Sequence, residues 1–406
     1  MKILLVHNDY GKYSGEEAVV DKMASIFASL GHQTAMLRMS TAGVRDSLAG
    51  KIRVFTAGLH SPVGVKAMRR ALATEKPDVV NVHNLYPFIS PAALRECRHA
   101  GVPVVMTVHN FRLICPTGLF MRNGAPCELC LERGNEWGCI RYNCEQSWPK
   151  SIAYAARNAV ARLRRDYLDC VDRFASITDF QRRKLIRAGF PADKITVIPN
   201  PMDLPDMSED TDNRISQNTD GYVAFCGRIS HEKGIDLIIE AARRNPDIPF
   251  RLAGAVADPA LTADLPPNVS LEGYLTGDEL NDFYRNARFV VMASRCYEGF
   301  PMAILEAAKY SKPTVAPDHG GFSEIIGGTS ISAQNADSDR NTAIPPIGQL
   351  FTPGDADSLS MAVRRLWDNP DITKALGESA LQKLRSNYST PVIAARWQDL
   401  ISHIRQ

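Results

Sequence analysis

Eleven short apolar runs, each four to six residues long, punctuate this chain and leave little choice of architecture. They fall in two sets: 2–6, 34–38, 78–82, 103–108, 174–178 and 195–198, then 222–226, 249–253, 268–272, 288–292 and 313–316. Within each run Val, Ile, Leu and Ala follow one another almost without interruption instead of alternating with polar residues. Such strands are buried on both faces, as in parallel sheets covered by helices. Amphipathic stretches lie between them, for example at 15–30, 90–99, 150–170, 233–244 and 302–310. The repeated strand-then-helix order predicts a doubly wound α/β architecture.

A length of 406 residues exceeds one ordinary domain and suits two. The rhythm breaks near Asn200 and Pro201, and a polar stretch from Ser208 to Asp220 reads as a linker. The expected division is an N-terminal domain at 1–202 with a Cys-rich insertion at 115–144, then a C-terminal domain at 203–390. A last helix within 391–406 is expected to pack back on the N-terminal domain. A second polar stretch, 327–347, reads as an exposed loop.

Charge excludes one broad class. Lys and Arg number 47 against 45 Asp and Glu, a net +2, whereas a dedicated nucleic-acid binder is far more basic. The apolar start at Lys2 turns polar at His7, too short for a signal-peptide core. No run approaches the roughly 18 apolar residues that span a bilayer. The expected compartment is the cytoplasm, where thiols stay reduced.

Two segments of the C-terminal half carry chemistry. In the first, an apolar strand ends at Gly227 and a loop follows with Arg228, Lys233 and Gly234. Two cations then stand at the carboxyl edge of a strand, where open α/β sheets bind ligands. Arg offers a fork and Lys a point charge to phosphate oxygens, and the next helix adds free N–H groups. The competing reading is a surface loop with routine charges. The second segment holds Glu298, Gly299, Phe300, Pro301 and Glu306. Pro301 suits the first turn of a helix, and Gly299 lets a ligand approach the backbone. Carboxylates accept paired sugar hydroxyls, while the competing reading is a first-turn Glu facing a helix dipole plus an exposed helix Glu.

The frame Glu298-x7-Glu306 with Gly299, Phe300 and Pro301, preceded by Gly227-Arg228-x4-Lys233-Gly234, resembles family 4 of the retaining glycosyltransferases. Val197 to Asn200 and Gly354-Asp355 match further signposts, so the resemblance covers most of the chain. It implies the GT-B fold, two Rossmann-like domains facing an interdomain cleft, and a hexosyltransferase that uses a nucleotide sugar in polysaccharide or glycolipid assembly. By resemblance, Arg228 and Lys233 neutralise the donor diphosphate, Glu298 binds hydroxyls of the transferred sugar and Glu306 those of the ribose. Backbone groups of Gly299, Phe300 and Pro301 line the sugar and phosphate path, Gly227 leads into it, and Tyr274 and Leu275 lie near the base. Gly15, after the first strand, approaches the donor phosphates, with Ser14-Gly15 in place of the usual Gly-Gly. His109, at the end of 103–108, contacts the donor sugar, and His83-Asn84 lines the acceptor side. The implied partners are a UDP- or GDP-sugar and a saccharide or lipid-diphosphate-linked acceptor, with no nucleic acid. No cofactor is required for catalysis. Pro201 after Asn200, and the lack of a second Gly and Pro after Gly254, depart from the family pattern and bear on donor choice.

Five of the nine Cys lie between 115 and 144. Cys127, Cys130, Cys139 and Cys144 have spacings compatible with a structural zinc ion, while reduced thiols packed in a loop are the alternative. A few polysaccharide-assembly members of the family share such an insertion. Residues 141–187 hold eleven Lys or Arg against five acids, which suits either a solvated helix face or peripheral contact with the anionic inner face of a membrane. Two rivals stand beside the transferase. A Rossmann oxidoreductase needs a Gly-x-Gly-x-x-Gly turn after the first strand, and Asp9 to Gly15 does not supply one. The other rival is a non-catalytic, zinc-stabilised scaffold that binds nucleotide sugars.

Overall fold

The computed structural model describes residues 1–9, 15–40, 48–204, 221–327 and 345–404. The presumed linker 208–220, Ser14 and most of the polar loop 327–347 lie outside the described residues. The chain divides into two compact units. The first comprises Met1–Phe120, Glu128–Pro201 and Thr390–Gln406, and the second Met121–Cys127 and Met202–Ser389.

In the first unit, strands β1 (Lys2–Asp9), β2 (Gln33–Ser40), β3 (Val79–Val82) and β4 (Val104–Val108) build most of a sheet. Between β4 and the next strands lies a two-stranded hairpin, β5 (Met121–Arg122) and β6 (Ala125–Pro126), which groups with the second unit. With β7 (Arg173–Ser176) and β8 (Ile195–Val197) the first sheet runs in the order β2-β1-β3-β4-β7-β8. All its pairings are parallel. Helix α1 (Gly15–Ser29) returns from β1 and buries Val20, Met23, Ile26 and Phe27 on it. A second helix, α2 (Trp148–Leu163), lies beyond the hairpin. The C-terminal helix Thr390–Ser402 belongs to this core, and its Trp397 ring meets Phe27 edge-on at 5.5 Å.

The second unit repeats the plan with β9 (Tyr222–Cys226), β10 (Phe250–Ala253), β11 (Val269–Gly273), β12 (Ala287–Val291), β13 (Thr314–Pro317) and β14 (Gly348–Phe351). Their order is β11-β10-β9-β12-β13-β14, again all parallel. Helices α3 (Ile235–Arg244), α4 (Met302–Lys309) and α5 (Gly320–Ile326) follow β9, β12 and β13. The core packs Val223, Phe225 and Phe289 of the sheet against Ile238 and Leu359 of helices. Asp355, one of the family signposts, caps the helix Ala356–Asp368, its carboxylate accepting from the amides of Asp357 (2.9 Å) and Ser358 (3.1 Å).

Both sheets are the expected doubly wound kind, with two differences. Two of the edge strands, β2 and β11, are largely exposed and not buried on both faces. And β14, in which Gly348 and Gln349 are buried beside Leu350, adds a twelfth strand that the apolar runs do not signal.

Two lysines are buried in the second unit. Burial pushes both Lys312 and Lys383 down to about 8, although Glu324 pulls Lys383 partly back. Lys383 donates to the carbonyl of Ile325 at 2.6 Å. Above about pH 8 the folded chain has released these protons while the unfolded chain still holds them, up to the ordinary value of 10.5. Stability contributed by these groups therefore rises with pH across that window. Thermal melting between these limits should show the rise, and Lys383→Met should flatten its share.

Candidate active site

In the second sheet the chain runs outward from β9 through β10 to β11, then restarts on the other side at β12. The β9/β12 boundary is therefore the topological switch point, where the loops leave in opposite directions and open a crevice. Both chemistry-bearing segments leave the sheet there.

The loop after β9 is built on close backbone packing. Gly234, at φ 68°, ends a turn over His231–Lys233 and leads into α3. A Cβ on Gly234 would sit 2.0 Å from the carbonyl oxygen of Ala293, so only glycine lets this turn press against the end of β12. That contact brings Lys233 over the second segment, and Lys233 Nζ donates to Glu298 Oε1 at 2.7 Å. Ser294 Oγ donates to the same oxygen. Burial pushes the Glu298 carboxyl up, but the charge and hydrogen bond of Lys233, with Ser294, outweigh it and hold the group below the ordinary range. Burial likewise pushes Lys233 down, and Glu298 more than restores it, leaving Lys233 above its usual value. The pair is ionised at neutral pH.

Arg228 is exposed and ion-paired with Glu232 at 2.7 Å. Its charge is near enough to work against protonation of Lys233. The backbone at Glu298 and Gly299 is held from behind by α5. The amide of Gly321 donates to the Glu298 carbonyl at 3.1 Å, and a Cβ on Gly321 would lie 2.5 Å from the Gly299 carbonyl. Pro301 caps α4, and the Phe300 ring is buried against Tyr388, so Phe300 offers a ligand its backbone and not its ring. Glu306 accepts from Tyr284 Oη at 2.6 Å. Burial raises the Glu306 carboxyl, with the Tyr284 bond and Lys309 pulling against it. Tyr274 follows β11 and is 70% exposed, with half-buried Leu275 beside it. These two lie at the same sheet edge, apart from the ion pair.

Three partners of this site were not singled out by sequence: Ser294, Tyr284 and His319. His319 Nε2 bonds the Ser294 carbonyl at 2.9 Å, and its ring lies 5.5 Å from that of Tyr297. Its position just before Gly320-Gly321, at the end of β13, was the available signal.

The first unit has its own switch point, between β1 and β3. His83 Nδ1 and His109 Nε2 share a hydrogen bond at 2.7 Å, with their rings stacked 5.0 Å apart. His7 meets His83 at 6.3 Å. Burial holds all three imidazoles below their ordinary range, so they are neutral at pH 7. His83, His109, Asn84 and Glu16 line a small cavity of about 20 Å3, room for one water. Gly15 opens α1 with no atom within 4 Å of a Cβ placed on it.

Among the described residues the sulfurs of Cys130, Cys139 and Cys144 do not form a metal-compatible group of three. The insertion folds as the β5–β6 hairpin and two short helices, Leu129–Arg133 and Trp137–Arg141, which places Cys127 in the second unit and the other three in the first. Cys139 is buried, its thiol hydrogen-bonded to Cys144 and 3.7 Å from the Ser151 carbonyl. Among the described residues the one metal-compatible group of three or more is His7, Asp9 and Glu17. Arg38 lies 3.5 Å from Asp9 and already supplies positive charge there.

Residues 206–383 match the family model described as Glycosyl transferases group 1, and residues 14–201 match the Glycosyl transferase 4-like domain. The alpha-D-kanosaminyltransferase of Streptomyces kanamyceticus is 28% identical over 75% of this chain and 70% of its own length. The O-antigen chain mannosyltransferase C of Escherichia coli is 26% identical over 48% of this chain, and about half of that relative (51%) is spanned. The crystal structure of HepE from Anabaena in complex with UDP and glucose has the same fold. It matches with a TM-score of 0.65 at 16% identity, covering 99% of both chains.

Proposed function

The chain belongs to the GT4-type glycosyltransferases of GT-B fold, and we propose that it transfers a hexose from a UDP- or GDP-sugar, with retention, to a saccharide or lipid-diphosphate-linked acceptor. The observation that carries this reading is the Lys233–Glu298 pair at the switch point of the second sheet. A cation for phosphate and a carboxylate for hydroxyls lie side by side there, in front of two helix N-termini.

The proposed chemistry follows from those groups. The bond between the anomeric carbon and the diphosphate oxygen breaks, and its electron pair stays on the diphosphate. Lys233 and Arg228 meet that developing charge, as fixed cations do most effectively where water is partly excluded. Glu298 accepts hydrogen bonds from sugar hydroxyls, and Glu306, oriented by Tyr284, from the ribose. Backbone groups at Gly227, Gly299, Phe300 and Pro301 line the path, and Tyr274 and Leu275 serve the base. The acceptor oxygen attacks the same face, and its proton passes to the departing diphosphate oxygen. His109, neutral and bonded to His83, and Gly15 are the proposed contributors from the first unit. Since side-chain cations answer the leaving-group charge, the proposed step needs no metal. A lipid-linked acceptor would bring the chain to a membrane face. Among the described residues no helix is long and apolar enough to cross one.

The test is the anomeric configuration of the product. Proton NMR of the transfer product should show the configuration present in the donor. An inverted product, or no transfer from any donor in a UDP- and GDP-sugar panel by folded protein, would overturn the proposal.

A further inference from the structure

Helix α2 is built inside out. Its buried positions are Ser151, Ala155, Arg157, Asn158 and Ala161. The polar ones among them are all engaged. Arg157 donates to the Pro116 carbonyl at 2.6 Å and lies over the rings of Tyr86 (4.5 Å) and Tyr154 (4.3 Å). Ser151 donates to Asn143 at 2.9 Å. Asn158 donates to the Arg112 carbonyl. The outward face is the apolar one, with Trp148 54%, Ile152 45% and Leu163 72% exposed. These three fall on one stripe of the helix with half-buried Ala156 and Ala159. The short helix Trp137–Arg141, packed against α2, adds Trp137 at 69% exposure, and Tyr142 follows at 41%. A helix covering a water-soluble core carries the opposite pattern.

The charges around this face select its occupant. Residues 141–165 hold six Lys or Arg against a single Glu. Arg162 is paired with Glu136 and Arg165 with Asp169, and Arg157 is buried. Arg141, Lys150 and Arg164 are exposed, and among the described residues no ion pair engages them. A second copy of this chain meeting the face isologously would oppose cations with the same cations. An anionic bilayer surface satisfies every feature at once. Trp and Tyr settle at the headgroup level, aliphatic side chains reach the acyl boundary, and Lys and Arg meet lipid phosphates.

We infer that the outward face of α2, with Trp137 and Tyr142, is a docking surface for an anionic lipid bilayer. The inference deepens the lipid-linked side of the proposed function, and its failure leaves the transferase reading standing. The experiment is flotation of the full chain with phosphatidylcholine vesicles containing about 30% phosphatidylglycerol, beside vesicles of phosphatidylcholine alone. The wild type should float with the anionic vesicles only, and its tryptophan emission should shift to the blue. Arg141→Glu and Lys150→Glu should each lower partitioning at least about fivefold. Trp148→Glu with Ile152→Glu should lower it about tenfold or more and abolish the emission shift. All variants should retain the wild-type melting temperature and transfer to a soluble acceptor, since these side chains lie on the surface. Absence of wild-type flotation, variants that float like the wild type, or a wild-type dimer that the variants dissociate would each overturn the inference.

Discussion

Replacing Lys233 by alanine is expected to lower transfer by about 10^2–10^3-fold, the usual effect of removing one preorganised group from a developing charge. The substitution also removes the cation that holds Glu298 below its ordinary range and leaves burial as the main influence, which raises it. The sign of one contribution to the pH profile should then reverse. In the wild type, a depressed Glu298 stabilises the fold above the carboxylate range, and that contribution fades as pH falls through it. In Lys233→Ala the carboxyl is raised in the fold, so its contribution worsens as pH climbs through the same range. Adding Glu298→Gln should restore melting near neutral pH without restoring transfer. That outcome separates the structural part of the pair from the chemical part. Turnover and melting measured on the two single variants and the double variant complete the cycle. Full activity in Lys233→Ala would remove this residue from the site.

Gly254→Ala should be at least as damaging, through the backbone. Gly254 lies at φ 143°, and a Cβ there would stand 1.8 Å from the carbonyl oxygen of Gly227, which is itself at φ 154°. Its amide is held to the Gly273 carbonyl at 2.6 Å, so the loop has little room to retreat. The loops after β9 and β10 are thus stacked backbone on backbone, and the one after β9 carries Arg228 and Lys233. A clash with backbone that cannot move belongs to the exceptional class of substitutions costing more than about 4–5 kcal/mol. The second unit should melt much earlier, or fail to fold. Gly273→Ala is the control: at φ 73° with nothing within 4 Å of the Cβ, it should cost only about 1–2 kcal/mol. Equal melting of the two variants would remove the role assigned to this stacking.

Much of this architecture was legible because a buried parallel strand leaves an uninterrupted apolar signature. β1, β4 and β9 announce themselves in that way. β14 does not, since Gly348 and Gln349 sit in a buried strand whose neighbours, not its own composition, make it one. Gly348 is there because a Cβ would stand 2.0 Å from the Thr314 carbonyl on β13. At the site, Lys233 and Glu298 are 65 residues apart in sequence, and their spacing pattern suggested them before any geometry did. The groups that orient them could not be read so easily. Ser294 and His319 are ordinary residue types on separate loops, and Tyr284 lies in the helix before β12. Only the strand order, which places β9, β12 and β13 side by side, makes their loops neighbours. The cysteine spacing left zinc and packed reduced thiols both open, because the two short helices that carry Cys130 and Cys139 decide where each sulfur goes, and spacing does not encode them.

The central claim is that the second unit holds a nucleoside diphosphate through Lys233. Thermal melting with a panel of UDP, GDP and their sugars, run on the wild type and on Lys233→Ala, tests it most directly. A ligand at one hundred times its Kd adds about 2.7 kcal/mol to the fold it binds, which is several degrees for a unit of this size. At least one nucleotide of the panel should raise the wild-type melting temperature by that amount and leave Lys233→Ala nearly unmoved. A panel that moves neither protein, or moves both equally, would contradict the account.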